Sequence, residues 1–224
     1  MKMQDIADGK RRLIDAALRL AAERRSFAAL GLRELAREAG LNPNTFYRHF
    51  RDMEDLAVTA LAEVSDELRP MLRAVRWAAA RDNPQEVATR ACDAFFAYAR
   101  AHADAFIVGL CGITGPQPAL REAIRALLAA IAAEMAEDIE RLELCPALSR
   151  AALDDFSGYV VSHLFHASGD YLEAGAAERK RLAQQATQLI RWLLVGAVGA
   201  TAGTSSHGLL AATSQAVPRT SKLS

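Results

Sequence analysis

The chain has 224 residues, 51% of them hydrophobic and 24% charged, and its 27 basic and 27 acidic residues leave no net charge. That describes a soluble globular chain able to bury a real core, in one large or two small domains. No sustained two-residue alternation is found, while Ala, Leu, Arg and Glu dominate, so a strand-based fold is excluded and an all-α fold of about nine helices is expected.

Residues 1–8 carry charges at Lys2, Asp5 and Asp8 and no apolar run, which reads as a frayed arm and not as a signal peptide. Lys10–Arg24 predicts a helix with Leu13, Ala16, Ala17 and Leu20 inward. Arg11, Arg12 and Arg19 then face outward, toward a DNA backbone or simply toward solvent. Phe27 and Leu30 plug a three-helix core. Leu32, Leu35, Ala36 and Ala39 share a face of a second helix, and Gly40 stands where a helix end favours a left-handed residue. Asn42 as N-cap and Pro43 at the first position open a third, eight-residue helix. In it Phe46 and Phe50 turn inward and leave Asn44, Thr45, Tyr47, Arg48 and His49 outside the core. That is a helix-turn-helix whose second helix suits a major groove. Neutrality argues against nucleic acid at first, but residues 9–51 hold ten Lys/Arg against four Asp/Glu, an excess of six positive charges. One basic end on an otherwise acidic molecule fits phosphate contact by a single domain.

Residues 11–61 resemble the N-terminal DNA-binding domain of the TetR family of bacterial regulators. The resemblance is carried by Ala16-Ala17, by Leu32 through Gly40, by Thr45 through Phe50 and by Glu54-Asp55-Leu56. Arg25 through Leu30 and Phe46 through Asp52 further resemble the branch that represses unsaturated fatty-acid synthesis genes and senses acyl-thioesters. The family resemblance implies a homodimeric repressor that grips a palindromic double-stranded DNA operator and is released by a small-molecule effector. Matching positions on its reading helix assigns Asn44, Thr45 and Arg48 to base edges, Pro43 to a thymine methyl, and Tyr47, His49 and Arg33 to phosphates. Met53 departs from the family's basic residue at the start of the fourth helix, leaving a backbone N–H for any phosphate there.

Asp52 caps a long helix whose stripe is Leu56, Ala60, Val64, Leu68, Met71, Leu72 and Val75, with Pro70 expected to kink or break it. Asn83-Pro84 restarts the chain into a helix over 84–101, followed by one over 103–112 and a Gly/Pro turn. Residues 119–143 hold the cleanest apolar pattern. Helices over 149–174 and 177–198 follow, with faces wide enough to pair with their copies as a four-helix bundle. From Gly199 periodicity vanishes, which reads as a disordered tail. The expected division is therefore 1–55 for DNA, 56–198 for ligand and dimerisation, and 199–224 for the tail.

Polar groups on otherwise apolar faces, together with the family resemblance, point to a pocket in the second domain. Its expected lining is Phe95, Tyr98, Phe106, Leu110, Leu128, Met135, Phe156, Tyr159 and His163, with Phe96 beside them, although ordinary core is the plainer role for each apolar one. The acyl-thioester branch carries a charged cluster after the short helix, whereas Gly109 through Gly115 here has no charge, which favours a smaller or more apolar effector. His163, His166 and Asp170 could face one way, as metal ligands or as hydrogen-bonding groups of an interface, and the interface reading is preferred. Cys92, Cys111 and Cys145 read as reduced, mostly buried thiols in a cytoplasmic protein. No membrane span, cofactor or enzyme motif is found, and the acids read as solvated helix surface. The competing class is a helical small-molecule-binding or structural protein whose helix-turn-helix does not read DNA.

Overall fold

The computed structural model describes residues 2–203, with side chains from 7 to 200. Within them the fold is all-α: nine α-helices and one 3-10 turn, with no strand. They are α1 Lys2–Arg24, α2 Leu32–Glu38, α3 Pro43–Phe46, α4 Met53–Asp82, α5 Val87–Ala101, α6 Ala103–Gly112, α7 Pro118–Arg141, α8 Arg150–Glu173 and α9 Ala176–Gly203. The 3-10 turn, Pro84–Glu86, joins α4 to α5.

Local chemistry explains the boundaries. Asn42 Oδ1 accepts from the Asn44 N–H at 2.9 Å and Asp52 Oδ1 from the Asp55 N–H at 2.8 Å, satisfying donors that a helix start leaves unpaired. Gly40 closes α2 at φ +62°, its N–H bonded to the Arg37 carbonyl while the Leu41 N–H reaches back to that of Ala36. That pairing needs a left-handed residue, which glycine supplies without steric cost.

Four expectations are corrected. α1 begins at Lys2, not at Lys10, because Gly9 is buried under the His49 ring and the helix has contact to hold it upstream. α3 proper is only four residues long; beyond Phe46 the chain tightens into turns, with Arg48 N–H bonding to the Thr45 carbonyl and His49 N–H to that of Phe46. Pro70 does not break α4, which runs unbroken for 30 residues. The ring sits on the exposed side while α5 and α7 hold the helix along its length. α9 passes the expected end at residue 198 and reaches Gly203; the rest of the expected tail, 204–224, lies outside the described residues.

The core of the head, here α1 to α3 with the start of α4, is built by Leu13, Ala17, Phe27, Leu30, Leu35, Phe46, Phe50 and Leu56, all buried. It does not end with the head. The same apolar cluster continues through Ala105 and Val108 of α6 to Leu120, Ile124 and Phe165. Two further clusters fill the rest of the helical body, one around Cys92, Ile139, Phe156 and Val160, the other around Leu72, Phe95, Phe96 and Ala186.

Candidate DNA interface and ligand cavity

Seven of the ten cations in residues 9–51 have partners within the molecule. Lys10 meets Glu63 at 2.6 Å, Arg11 meets Asp15 at 3.1 Å, and Arg51 meets Asp55 at 3.3 Å. Arg19 pairs with Glu38, Arg24 with Glu34, and Arg25 with Glu173 near the far end of α8. Arg12 donates to the Gly40 carbonyl at 3.1 Å and so ties α1 to the helix-turn-helix. The three outward arginines of α1 thus all have partners in the protein. What is left, among the described residues, is Arg33, Arg37 and Arg48, exposed and without an acidic partner. Arg33 and Arg37 are four apart on α2 and share its face. Arg37 was missed as a site candidate because nothing in a sequence separates a paired arginine from an unpaired one.

Around them, Asn44, Tyr47 and Arg48 are exposed, Tyr47 to 65%, and Pro43 and Thr45 half-buried. Tyr47 stands edge-on to the buried Phe46 ring, which fixes its base while leaving the phenol outward. His49 differs. Its ring leans on α1 at Gly9, and burial first, then the charges of Arg48 and Lys10, hold its pKa below the ordinary imidazole value.

In the helical body a cavity of about 490 Å³, partly open to solvent, is lined by residues of α4 to α9. Five of the nine expected lining residues border it: Phe95, Phe106, Leu128, Met135 and Phe156. The polar members of the expected set do not. Tyr98 turns its hydroxyl to the Val64 carbonyl at 2.9 Å and stacks on His102. Tyr159 is 68% exposed, and His163 lies in a surface hollow between α8 and α9. Leu110 packs toward Gly169, and Phe96 stacks on Tyr171. On α8 two helical stripes run side by side, and the inner one is Phe156, Val160 and Leu164, not Tyr159 and His163.

The polar residues that do line the cavity are others, chiefly Ser65 and Arg76 of α4, with Cys92, Gln85, Glu143 and Arg191. Arg76 is 6% exposed and holds the wholly buried Asp138 of α7 through Nε, at 2.9 Å, and Nη2. Trp77 Nε1 donates to the same carboxylate at 2.9 Å, and Arg73 approaches it at 3.0 Å. The reading of the acids as solvated surface therefore fails at Asp138. Its neighbours Glu134 and Glu137 pair with Arg69 and Arg73, so the two helices are laced together by charge. The sequence signal was present: Arg69, Arg73 and Arg76 fall on one face of α4, and Glu134, Glu137 and Asp138 on one face of α7. Burial pushes the Cys92 thiol up to about 11, partly offset by a bond to Thr187, so it is a poor nucleophile.

His163, His166 and Asp170 share the α8–α9 hollow with Leu182, Leu189 and Trp192. His166 Nδ1–H donates to the Ser162 carbonyl at 2.7 Å, while burial and then His166 lower the His163 pKa. Among the described residues no group of three or more His, Cys, Asp or Glu is placed to hold a metal ion. Nor is any described helix long and apolar enough to cross a membrane.

Residues 13–60, the span from α1 into the first turns of α4, match the family model of bacterial regulatory proteins of the tetR family. Over that segment the chain is similar to the TetR family. Over about four-fifths of the chain the fold is similar to those of TetR-family structures. A TetR-family transcriptional regulator from Rhodococcus sp. superposes with a TM-score of 0.66 at 18% identity, over 84% of this chain and 99% of the other. The fatty acid degradation regulator FadR of Bacillus halodurans gives 0.66 at 17% identity, over 81% and 93%. FadR of Bacillus subtilis, solved with stearoyl-CoA, gives 0.56 at 16% identity, over 83% and 98%.

Proposed function

We propose that the protein is a ligand-responsive transcriptional regulator of the repressor type, dimeric, whose two heads occupy successive major grooves of a palindromic operator. The heads are residues 1–55, carrying Arg33, Pro43, Asn44, Thr45, Tyr47, Arg48 and His49, with Arg37 added to the phosphate set. Residues 56–198 bind the effector and pair the subunits. The observation that carries the reading is the double role of α6. Ala105 packs in the same cluster as Leu13 and Ala17 of α1 and also lines the cavity, so a molecule filling the cavity bears on the helix that seats the head. A ligand that favours one seating over another changes the distance between two heads and hence operator affinity.

Dimerisation is supported by the outer faces of α8 and α9, where Tyr159, Trp192 and Val195 expose apolar surface at 68%, 65% and 70%. An apolar or acyl-type effector is supported by the cavity's lining and by the FadR likenesses. The uncharged Gly109–Gly115 segment weighs against a thioester headgroup at that position.

The test is selection of duplexes from a random pool, followed by anisotropy titration over a range of salt. A palindrome should be enriched and affinity should fall steeply with salt. Tyr47→Ala and Arg48→Ala should each weaken binding about 10- to 100-fold with the thermal melt unchanged, since both side chains are exposed. No enriched palindrome, or a salt slope near zero, favours a helix-turn-helix that does not read DNA.

A further inference from the structure

The wall that α4 turns to the cavity is the stripe Leu61, Ser65, Leu68, Leu72 and Arg76, spaced four, three, four and four residues apart, with Val64 beside it. Its two polar members are nine-tenths buried, at 5% and 6% exposure, and each keeps bonding capacity that the protein does not use. Ser65 Oγ has no hydrogen-bond partner. Ser168 and Thr187 avoid that state by bonding back to their own helix, to the Phe165 carbonyl at 2.6 Å and to that of Ala183 at 3.0 Å, whereas the Ser157 hydroxyl is likewise unpartnered but does not line the cavity. Arg76 commits Nε and Nη2 to Asp138, while its Nη1, with two N–H donors, has no acceptor among the described residues. A guanidinium nitrogen with no acceptor and a buried hydroxyl with no partner, both on residues of the cavity wall, are groups that a ligand can match.

We propose that the cavity binds an elongated, uncharged aliphatic molecule with an oxygen function at each end, one accepting from Nη1 of Arg76 and the other bonded to Ser65 Oγ. This rests on the effector-site reading and sharpens it. The molecule is uncharged because Arg69, Arg73 and Arg76 already face Glu134, Glu137 and Asp138. An incoming carboxylate at Arg76 would lie beside that of Asp138, and the other lining arginine, Arg191, is exposed and donates to Thr89 Oγ1. It is elongated because eleven residues of helix separate the two anchors, about 16 Å of axis. The lean of a helical arginine toward its own N-terminus, here toward Ser65, shortens the gap somewhat. Leu68 and Leu72 of α4, with Phe95, Leu128 and Met135 opposite, make the space between apolar.

The test uses the full-length protein with the uncharged probe N-phenyl-1-naphthylamine in the cavity. It is displaced by α,ω-diols from octane-1,8-diol to hexadecane-1,16-diol, by 1-alkanols and by ω-hydroxy acids of the same lengths. Diol affinity should pass through a maximum at an intermediate length. There the diol should bind about tenfold tighter than the 1-alkanol, as one added buried hydrogen bond allows, and the ω-hydroxy acid more weakly than the diol. Ser65→Ala should erase the diol's advantage and leave the 1-alkanol unchanged. Arg76→Met alone strands Asp138 and threatens the fold, so the paired Arg76→Met/Asp138→Leu is the second variant, expected to weaken diol and alkanol alike. Affinities that climb steadily with length and are equal for diols and alkanols overturn the inference, as does tighter binding of the hydroxy acid. Either result leaves the cavity as an effector site. A probe that does not bind, or that no chain displaces, overturns both readings.

Discussion

Asp138 fixes the seating of α4 on α7, and its removal has a calculable cost. The carboxylate is wholly buried and accepts from Arg76 at 2.9 Å and from Trp77 at 2.9 Å, with Arg73 at 3.0 Å. In Asp138→Ala the Arg76 guanidinium, itself only 6% exposed, loses its only ion-pair partner among the described residues. Breaking a buried pair in this way costs about 3–5 kcal/mol, because an uncompensated charge is left in a low-dielectric site. The half-exposed rungs Arg69–Glu134 and Arg73–Glu137 are worth only about 0–1 kcal/mol each and cannot make up the loss. For a chain of this size a loss near 4 kcal/mol lowers the melting temperature by roughly 8–16 °C. The control is Arg76→Met/Asp138→Ala, which removes both charges and should cost far less than the single change. Urea unfolding followed by circular dichroism would read both, at matched protomer concentration because a dimer's stability depends on it. A single variant that loses under about 1 kcal/mol, or a double variant no better than the single, would refute the account of Asp138 as a buried counter-ion.

Two further outcomes are expected of the head. Gly40→Ala should cost about 1–2 kcal/mol, the penalty of a left-handed backbone for a residue with a Cβ, which would also meet Arg12 Nη2 at 2.5 Å; an unchanged unfolding midpoint would count against it. His49 is held below the ordinary imidazole pKa, by burial first and then by Arg48 and Lys10, so the folded head binds a proton less readily than the unfolded chain. Its contribution to stability is therefore complete above about pH 6.5 and is lost as pH falls from there through the folded-state value. His49→Gln should flatten the decline in stability between pH 7 and pH 5, His163 keeping its own share for the same reason of burial; an unaltered slope means that the ring is not packed on α1.

Much of the head was legible because its determinants are short-range. Asn42 and Asp52 cap helices within three residues of themselves, Gly40 meets a local backbone need, and Phe46 and Phe50 share a face by spacing alone. The length of α3 was overread, since its last turn is tightened by the chain's return to α4 and not by propensity. In the body, the periodic stripes located the helices well. They did not say which of two neighbouring stripes on α8 faces inward, and so Tyr159 and His163 were expected in a cavity that they do not line.

From its residues alone the chain determined an all-α fold, the order of its helices and the helix-turn-helix, because apolar period, caps and turn residues act over a few positions. Only the tertiary structure decided which arginines are spent. Arg12, Arg19 and Arg24 are bonded within the head while Arg33, Arg37 and Arg48 are left exposed; Arg76 is drawn into the interior by an aspartate 62 residues away. A charge carries no local mark of its partner. Whether it ends in solvent, on a neighbouring helix or in a cavity wall is set by which side chains the packed helices bring within reach, and that is a property of the whole fold.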